Sequence, residues 1–248
     1  MFDYVILAAA SFFAGMLNTV AGGGTFLTFP ALVYTGVSPV AANATSAVAV
    51  FPGYLGGGFG FRQEIAAFDR MRLMKIVAST AIGGLAGSLL LLVTSNDAFS
   101  VVVPFLLAAA TLAFAFGPRI QAWVSRRSVG KPEGVLGTLL VSVYGGYFNG
   151  GLGIVLLALF SLWDMRDLNA MNGLKNALSL VLSGISVVTF AAAGIVAWPQ
   201  AVLMMVAATI GGYAGAPVAR ALPASVVRTI VIAVGASMSA LFFWRAFA

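Results

Sequence analysis

Two short motifs combine an asparagine with several glycines inside apolar stretches: residues 18–24 (NTVAGGG) and residues 149–153 (NGGLG). Glycine lets a backbone turn without a Cβ clash and lets main-chain amides approach a ligand closely. A helix that begins directly after such a motif points its unpaired N–H groups and the positive end of its dipole at the motif, which favours an oxyanion. The two motifs therefore predict an anion site built largely from backbone.

The predicted substrate-binding residues are the polar residues and glycines of these motifs, Thr25 directly after the first motif, and polar residues at the start of the third helix of each half. They are Asn18, Thr19, Gly22, Gly23, Gly24, Thr25, Asn43, Thr45, Ser46, Asn149, Gly150, Gly151, Gly153, Asn172, Lys175 and Asn176. For Asn43 and its neighbours a second interpretation stays open, because Asn, Ser and Thr commonly cap the first turn of a helix. For the glycines the alternative is close helix packing in a membrane.

Lys175 is the one basic residue among these candidates, and it precedes a run that is apolar from Ala177 to Ala193. A lysine at the centre of a membrane helix costs about 2.5 to 3.5 kcal/mol on insertion scales. The side chain either contributes charge to the anion site or extends to the cytoplasmic interface, as long basic side chains do near helix ends.

The composition is that of a membrane protein, since 61% of the 248 residues are hydrophobic and only 8% are charged, where soluble domains carry about 25%. The excess of 13 basic over 7 acidic residues lies between apolar runs, so it indicates membrane-flanking loops and no nucleic-acid partner. With no cysteine and no histidine, neither a metal site nor a cofactor is expected.

The apolar runs indicate ten segments and an all-α polytopic fold. Six runs approach the roughly 20 residues that cross a bilayer: 41–61, 73–92, 99–116, 170–193, 201–218 and 226–247. Four shorter arms flank the two motifs: 4–17, 25–37, 135–148 and 154–163. Because these arms fall short of a bilayer core of about 30 Å, they predict two pairs of short or broken helices.

The two halves of the chain match each other in three blocks that keep the same order. Residues 15–24 lie over residues 146–155, which superposes Asn18 on Asn149. Residues 41–50 lie over residues 170–179, which superposes Asn43 on Asn172. The third block, IGGLAG at residues 82–87, lies over IGGYAG at residues 210–215. The shared order favours an internal duplication.

The basic loops predict that these halves are inverted. Loops 62–75, 119–133 and 220–228 are basic and so cytoplasmic, whereas residues 95–97 and 198–200 carry no Lys or Arg. Matched loops thus fall on opposite sides, with both termini outside. The prediction is two inverted five-segment repeats, residues 1–118 and 134–248, joined by a cytoplasmic basic linker, residues 119–133. Such a build is typical of secondary transporters with a site at the midplane.

The segment NTVAGGGTFLTFPAL (18–32), followed by GVSPVAANATSAV (36–48) and by a weaker second copy, resembles the sulfite exporter TauE/SafE family, also called the toluene sulfonate uptake permeases. The resemblance covers the whole chain. It implies a multi-pass transporter of sulfur oxyanions or organosulfonates in the bacterial inner membrane. The second copy departs from the pattern, because Ser161 stands where Pro30 would match and GLKN replaces ATSA.

The expected function is alternating-access transport of a small sulfur-containing anion, with an anion channel as the alternative. An intramembrane enzyme is not expected, since only Lys175 with Ser179 resembles a catalytic pair. All seven acids lie in loops or at chain ends, so a carboxylate proton relay is not expected either. Coupling to H⁺ or to Na⁺ stays open, as does a homodimer. Membrane lipid is the other expected partner.

Overall fold

The computed structural model describes residues 2–20, 23–60, 62–127, 134–163, 165, 167–221 and 224–247. Of the candidate site residues, Gly22 lies outside this part of the chain, as does the side chain of Thr19.

The described residues are helical and contain no β-strand. Their eleven helices are α1 Phe2–Val20, α2 Thr25–Tyr34, α3 Pro39–Gly60, α4 Arg62–Ala66, α5 Arg70–Val93, α6 Asn96–Arg127, α7 Val135–Tyr147, α8 Leu152–Leu162, α9 Leu168–Ala192, α10 Trp198–Ala221 and α11 Ala224–Phe247. The all-α prediction is confirmed. Ten of these helices correspond to the ten predicted segments, and α4 is an additional short helix.

The two predicted pairs of short arms are helices that stop at the glycine-rich motifs. We name the interruption between α1 and α2 the first break, of which Gly23 and Gly24 are described, and that between α7 and α8 the second break (residues 148–151). At 1.5 Å per residue, α2 and α8 are about 15 and 16 Å long. That length is half of a hydrocarbon core of about 30 Å. α1, with 19 residues, is longer than its predicted arm.

Two predicted loops contain more helix than the sequence indicated. α6 continues to Arg127, so the first part of the predicted linker, residues 119–127, is helical. Within the basic loop 62–75, α4 precedes α5, and the Asp69 carboxylate accepts a hydrogen bond from the Arg72 main-chain N–H at 2.8 Å. This capping bond fixes the start of α5 in a segment that the hydropathy pattern marked only as charged.

Apolar side chains lie on the outer surface of the helices as well as in the core. Ile82, Val93 and Val188 are more than half exposed, whereas several Ser, Thr and Asn side chains are buried. Within the described residues, Arg70–Val93 and Asn169–Ala192 are long and apolar enough to cross a membrane. Large exposed aliphatic side chains on such helices are what a lipid-facing surface requires.

The helices of the two halves contact each other reciprocally. If α1, α2, α3, α5 and α6 are matched in order with α7, α8, α9, α10 and α11, each main contact has a counterpart. The contact of α1 with α10 corresponds to that of α7 with α5, and the contact of α3 with α10 corresponds to that of α9 with α5. The pair α2 and α11 corresponds to α8 and α6, while α3 with α9 and α6 with α11 are their own counterparts.

Glycines bring the backbones of the most extensive helix pairs together. A Cβ added at Gly146 would lie 3.0 Å from Cα of Gly84, and one added at Gly15 would lie 2.8 Å from the main-chain nitrogen of Gly212. The sequence overlay superposes these two pairs on each other. A Cβ at Gly87 would likewise clash with the α7 backbone. The glycines of IGGLAG and IGGYAG that make these contacts therefore serve close helix packing, as small residues do in membrane helices.

Candidate anion site at the two helix breaks

The first break is held by the side chain of Asn18. Its Oδ1 accepts a hydrogen bond from the Gly24 main-chain N–H at 2.8 Å, which occupies one of the amides that precede α2. A Cβ at Gly24 would lie 2.6 Å from Nδ2 of the same side chain, so only glycine fits beside it. Asn18 therefore uses its oxygen to close the break, and Nδ2 is the atom with which it can donate.

The second break depends on a glycine in the left-handed conformation. Gly151 has φ +71° and directly precedes α8, a conformation that L residues with a Cβ adopt at a cost. The Tyr144 hydroxyl donates to the Gly150 carbonyl, and the Asn149 carbonyl accepts from the Leu152 N–H at 3.4 Å. Asn149 itself is buried, with 6% of its surface exposed.

A hydrogen bond between the two halves reaches this second break. Nδ2 of Asn43, on α3, donates to the Tyr147 carbonyl at the end of α7 at 2.8 Å. Asn43 is 3% exposed, so the bond lies in a dry interior where it is stronger than at a surface. The structure thus brings two predicted site residues, Asn43 and Asn149, to the same break from different halves of the chain.

Two residues that the sequence analysis missed flank the Asn149 side chain. Nδ2 of Asn149 donates to the Ser183 hydroxyl at 3.4 Å, and the Tyr54 hydroxyl lies beside the same amide. In the register that superposes Asn43 on Asn172, Tyr54 falls on Ser183. The internal repeat is the sequence signal that could have identified them, because Tyr54 and Ser183 occupy matched positions in the two halves and both lie beside Asn149.

A row of polar side chains runs along α9 towards the second break. It consists of Asn172, Asn176, Ser179, Ser183 and Ser186, which are spaced by three or four residues and so share one helix face. Ser179, Ser183 and Ser186 are buried. Ser186 contacts the Ser88 hydroxyl on α5 at 2.9 Å. This polar face connects the start of α9 with the second break.

Lys175 lies near the beginning of that face and at a distance from the break. Its Nζ donates to Oδ1 of Asn172 at 3.1 Å, which directs the ammonium group back towards the start of α9. Ser183 is two helical turns further on, about 12 Å along the axis at 1.5 Å per residue. The structure therefore does not bring the Lys175 ammonium to Asn149.

The capping interpretation of the polar residues on α3 is wrong. α3 begins at Pro39, and the side chains in question bond outside its first turn. The Thr45 hydroxyl accepts from the Ala197 N–H at 3.0 Å, and the Ser46 hydroxyl pairs with that of Thr28 on α2 at 2.6 Å. Likewise, Asn172 does not cap α9, because Asp167 does so through the Asn169 and Ala170 amides.

The remaining candidates divide between the two breaks. Gly23, Gly24 and Thr25 are buried at the first break, where the Thr28 hydroxyl also donates to the Gly24 carbonyl at 3.3 Å. Gly150 and Gly151 are buried at the second break, and Gly153 lies in the first turn of α8.

A group of buried aromatic rings packs against the second break. Phe29, Phe99 and Phe148 have no exposed surface. The ring of Phe29 lies 5.8 Å from that of Phe148, and the ring of Phe99 lies 5.5 Å from that of Tyr147. These rings exclude water from one side of the break, which strengthens electrostatic interactions at the polar groups. In the described part of the chain no cluster of His, Cys, Asp or Glu accompanies them.

Comparison with known proteins identifies a family. Residues 7–242 match the family model described as sulfite exporter TauE/SafE. The chain is 28% identical over 240 residues to the probable membrane transporter protein YfcA of Escherichia coli (strain K12), covering 95% of this chain and 87% of that protein. It is 26% identical over 243 residues to a probable membrane transporter protein of Haemophilus influenzae, covering 95% and 92% of the two chains. No solved structure matches the chain.

Proposed function

The chain belongs to the sulfite exporter TauE/SafE family, and from that premise we propose that it carries a small sulfur-containing anion, such as sulfite or a sulfonate, across the cytoplasmic membrane by alternating access. Membership of this family makes the protein a membrane transporter and not an enzyme. The substrate class and the mechanism are the proposal. The observation that carries the proposal is the pair of helix breaks. Each break adjoins a short helix that spans about half of the bilayer core, and each is lined by buried neutral polar groups.

The anion binds where α2 and α8 begin. Both helices start at a glycine-rich break, so their first amides and the positive ends of their dipoles point into it. At the second break, Gly150 and Gly151 present main-chain amides without a Cβ beside them, and Asn18 at the first break supplies an amide donor. The glycine, Asn, Thr and Ser candidates at the breaks and on α3 are the remaining proposed contacts.

The two halves, residues 1–118 and 134–248, act as inverted repeats. The reciprocal helix contacts support this proposal, as do the matched glycine pairs and the matched positions of Tyr54 and Ser183 beside Asn149. In transporters of this build, one repeat rocks against the other around a site near the midplane.

One reciprocal bond is missing, and it suggests which side is closed. Asn43 donates to the Tyr147 carbonyl. In the described structure its counterpart Asn172 accepts from Lys175 and does not donate to the carbonyl of Met16, the first-half residue that matches Tyr147. With the termini outside, α3 begins at the outer face and α9 at the inner face. The bond of Asn43 therefore closes the outer side, and the polar face of α9 forms the inner path. Lys175 attracts anions to the start of this path.

A thermal-shift screen of the purified protein tests the substrate class. The panel is sulfite, sulfate, thiosulfate, small sulfonates, carboxylates and amines at constant ionic strength. A ligand that binds only the folded state raises its melting temperature, by an amount that grows with concentration above Kd. The proposal expects a rise with sulfite or a sulfonate and none with the amines. A rise confined to carboxylates or amines would contradict it.

A further inference from the structure

Two buried amide oxygens at the second break have no hydrogen-bond partner among the described residues. They are Oδ1 of Asn43 and Oδ1 of Asn149, and both side chains are more than nine-tenths buried. Buried acceptors without a partner are costly and uncommon in folded proteins. The oxyanion oxygens of a substrate cannot satisfy them, because those oxygens are acceptors too. The two amide oxygens require a ligand that carries positive charge or a hydrogen-bond donor.

The orientation of the Asn43 amide is fixed by its partner. Nδ2 donates to the Tyr147 carbonyl, and a carbonyl oxygen can only accept. Rotating the amide by 180° would place two oxygens against each other, so Oδ1 must face away from Tyr147. For Asn149, Nδ2 donates to the Ser183 hydroxyl, and the Tyr54 hydroxyl lies beside the same amide. In this orientation Oδ1 has no partner among the described residues.

We propose that these two oxygens are ligands of a sodium ion bound at the second break, beside the anion; this inference rests on the proposed function. Neutral amide and carbonyl oxygens are the ligands that Na⁺ uses at broken helices of transporters. Divalent ions are less suited, since Mg²⁺ and Ca²⁺ sites rely on carboxylates, and no acidic cluster accompanies these oxygens in the described residues.

The placement of the two oxygens couples the cation to transport. Asn43 belongs to the first half and Asn149 to the second, so a cation held by both stabilises the arrangement in which the halves meet at this break. The cation also attracts the anion at the start of α8, because opposite charges a few ångströms apart interact strongly in a water-poor site. The function of the site is therefore cotransport of Na⁺ with the anion.

The first test needs no transported substrate. The melting temperature of the purified protein is measured in NaCl, KCl and choline chloride at equal ionic strength. We expect a saturable rise that is specific for Na⁺. Equal melting temperatures in the three salts, both without and with sulfite, would overturn the sodium site and leave a water or a donor group of the substrate as the partner of the two oxygens.

Two variants of Asn149 locate the ion. Asn149→Leu removes the oxygen and should weaken the apparent Na⁺ affinity at least about tenfold, as for loss of a bond to a charged group. Asn149→Asp keeps an oxygen and adds negative charge, so it should retain or tighten Na⁺ binding while weakening sulfite binding. If the leucine variant does not fold, loss of the Na⁺ response in the aspartate variant still overturns the proposal.

The control is Asn96→Ala, which also removes a bonded amide oxygen. Oδ1 of Asn96 accepts from the Val40 N–H at 3.1 Å, outside the site, so the Na⁺ midpoint should stay within twofold of wild type. The failure of this inference is distinguishable from failure of the proposed function. A protein that sulfite stabilises equally in Na⁺ and K⁺ keeps its proposed function and loses the sodium site.

Discussion

Asn43 of the first half donates its side-chain amide to the main-chain carbonyl of Tyr147 in the second half, across 104 positions of sequence. Tyr147 is the last residue of α7, and a carbonyl at a helix end has no partner within the helix. Asn43 therefore satisfies a main-chain group that the second break leaves free. The bond joins α3 to the place where the anion site is proposed.

Removing this bond should destabilise the protein. Asn43→Ala leaves the half-buried Tyr147 carbonyl without its donor, which costs about 1 to 3 kcal/mol of unfolding free energy. The matched change Asn172→Ala removes only a bond to the half-buried Lys175 and should cost less. Thermal unfolding in detergent compares the two variants. Equal losses would show that the bond between the halves contributes little.

The conformational role of Gly151 at the second break can be distinguished from its proposed role in anion binding by comparison with a second left-handed glycine. Gly151 has φ +71° and Gly194, at the end of α9, has φ +70°. Alanine at either position should cost about 1 to 2 kcal/mol of stability for the left-handed conformation. A Cβ at Gly194 meets open space, whereas one at Gly151 lies 3.1 Å from the Ala110 side chain.

Only Gly151→Ala should also weaken anion binding, because the added Cβ would press on Ala110 and shift the α8 amides that the proposed anion approaches. Isotherms for sulfite on both variants provide the readout. If the two variants bind sulfite equally well, Gly151 serves the chain conformation alone.

The glycines on the helix pairs should affect stability without affecting the site. Gly146→Ala forces a Cβ against the Gly84 backbone and should cost about 1 to 3 kcal/mol, as overpacking does. Gly53→Ala, on α3 with nothing within 4 Å, should be neutral or stabilising by up to about 1 kcal/mol. Unfolding midpoints distinguish them, and a tolerated Gly146→Ala would contradict the close packing of α5 on α7.

Lys175 should affect anion capture at a distance. Lys175 lies about 12 Å before Ser183 along the α9 axis, and an ammonium at that distance or somewhat beyond contributes about 1 kcal/mol at an effective dielectric constant near 20. Lys175→Met should therefore raise the half-saturating anion concentration about fivefold, and Lys175→Arg should restore most of it. The control Lys75→Met removes an exposed charge from α5 and should have no effect. Unchanged transport by the methionine variant would place the Lys175 charge at the interface only.

The inverted arrangement predicts from which side of the membrane each end of a helix can be labelled. The chain contains no cysteine, so single cysteines report accessibility directly. Asn96→Cys lies at the start of α6 and should react only from outside. Val226→Cys lies in the matched first turn of α11 and should react only from the cytoplasm. Labelling of both from one side would rule out inverted repeats.

The helices could be predicted from sequence because apolar run length and glycine breaks act locally. Each predicted span has a helix, and the second arms begin at or within two residues of the expected Thr25 and Ile154. The ends were less predictable where charge interrupts a helix without ending it, as in α6. Charged residues mark a membrane boundary, but they are good helix formers.

The site could be predicted only in part. The glycine motifs identified the breaks, because their residue types are needed locally. The partners of the Asn149 side chain could not be predicted from local sequence, since Tyr54 and Ser183 become neighbours only when α3 crosses α9. Lys175 stood out as a charge in an apolar run, but its bond to Asn172 depends on the side-chain direction along α9, which sequence spacing does not specify.

Counterflow in proteoliposomes tests the central claim most directly. Vesicles containing the purified protein are loaded with unlabelled sulfite or a small sulfonate, and entry of the radiolabelled anion is followed from outside. The account predicts saturable entry that is accelerated by unlabelled anion inside, as expected of a carrier with one alternating site. Entry that does not saturate and is indifferent to internal anion would identify a channel, and absence of entry for every sulfur anion with folded protein would contradict the proposed function.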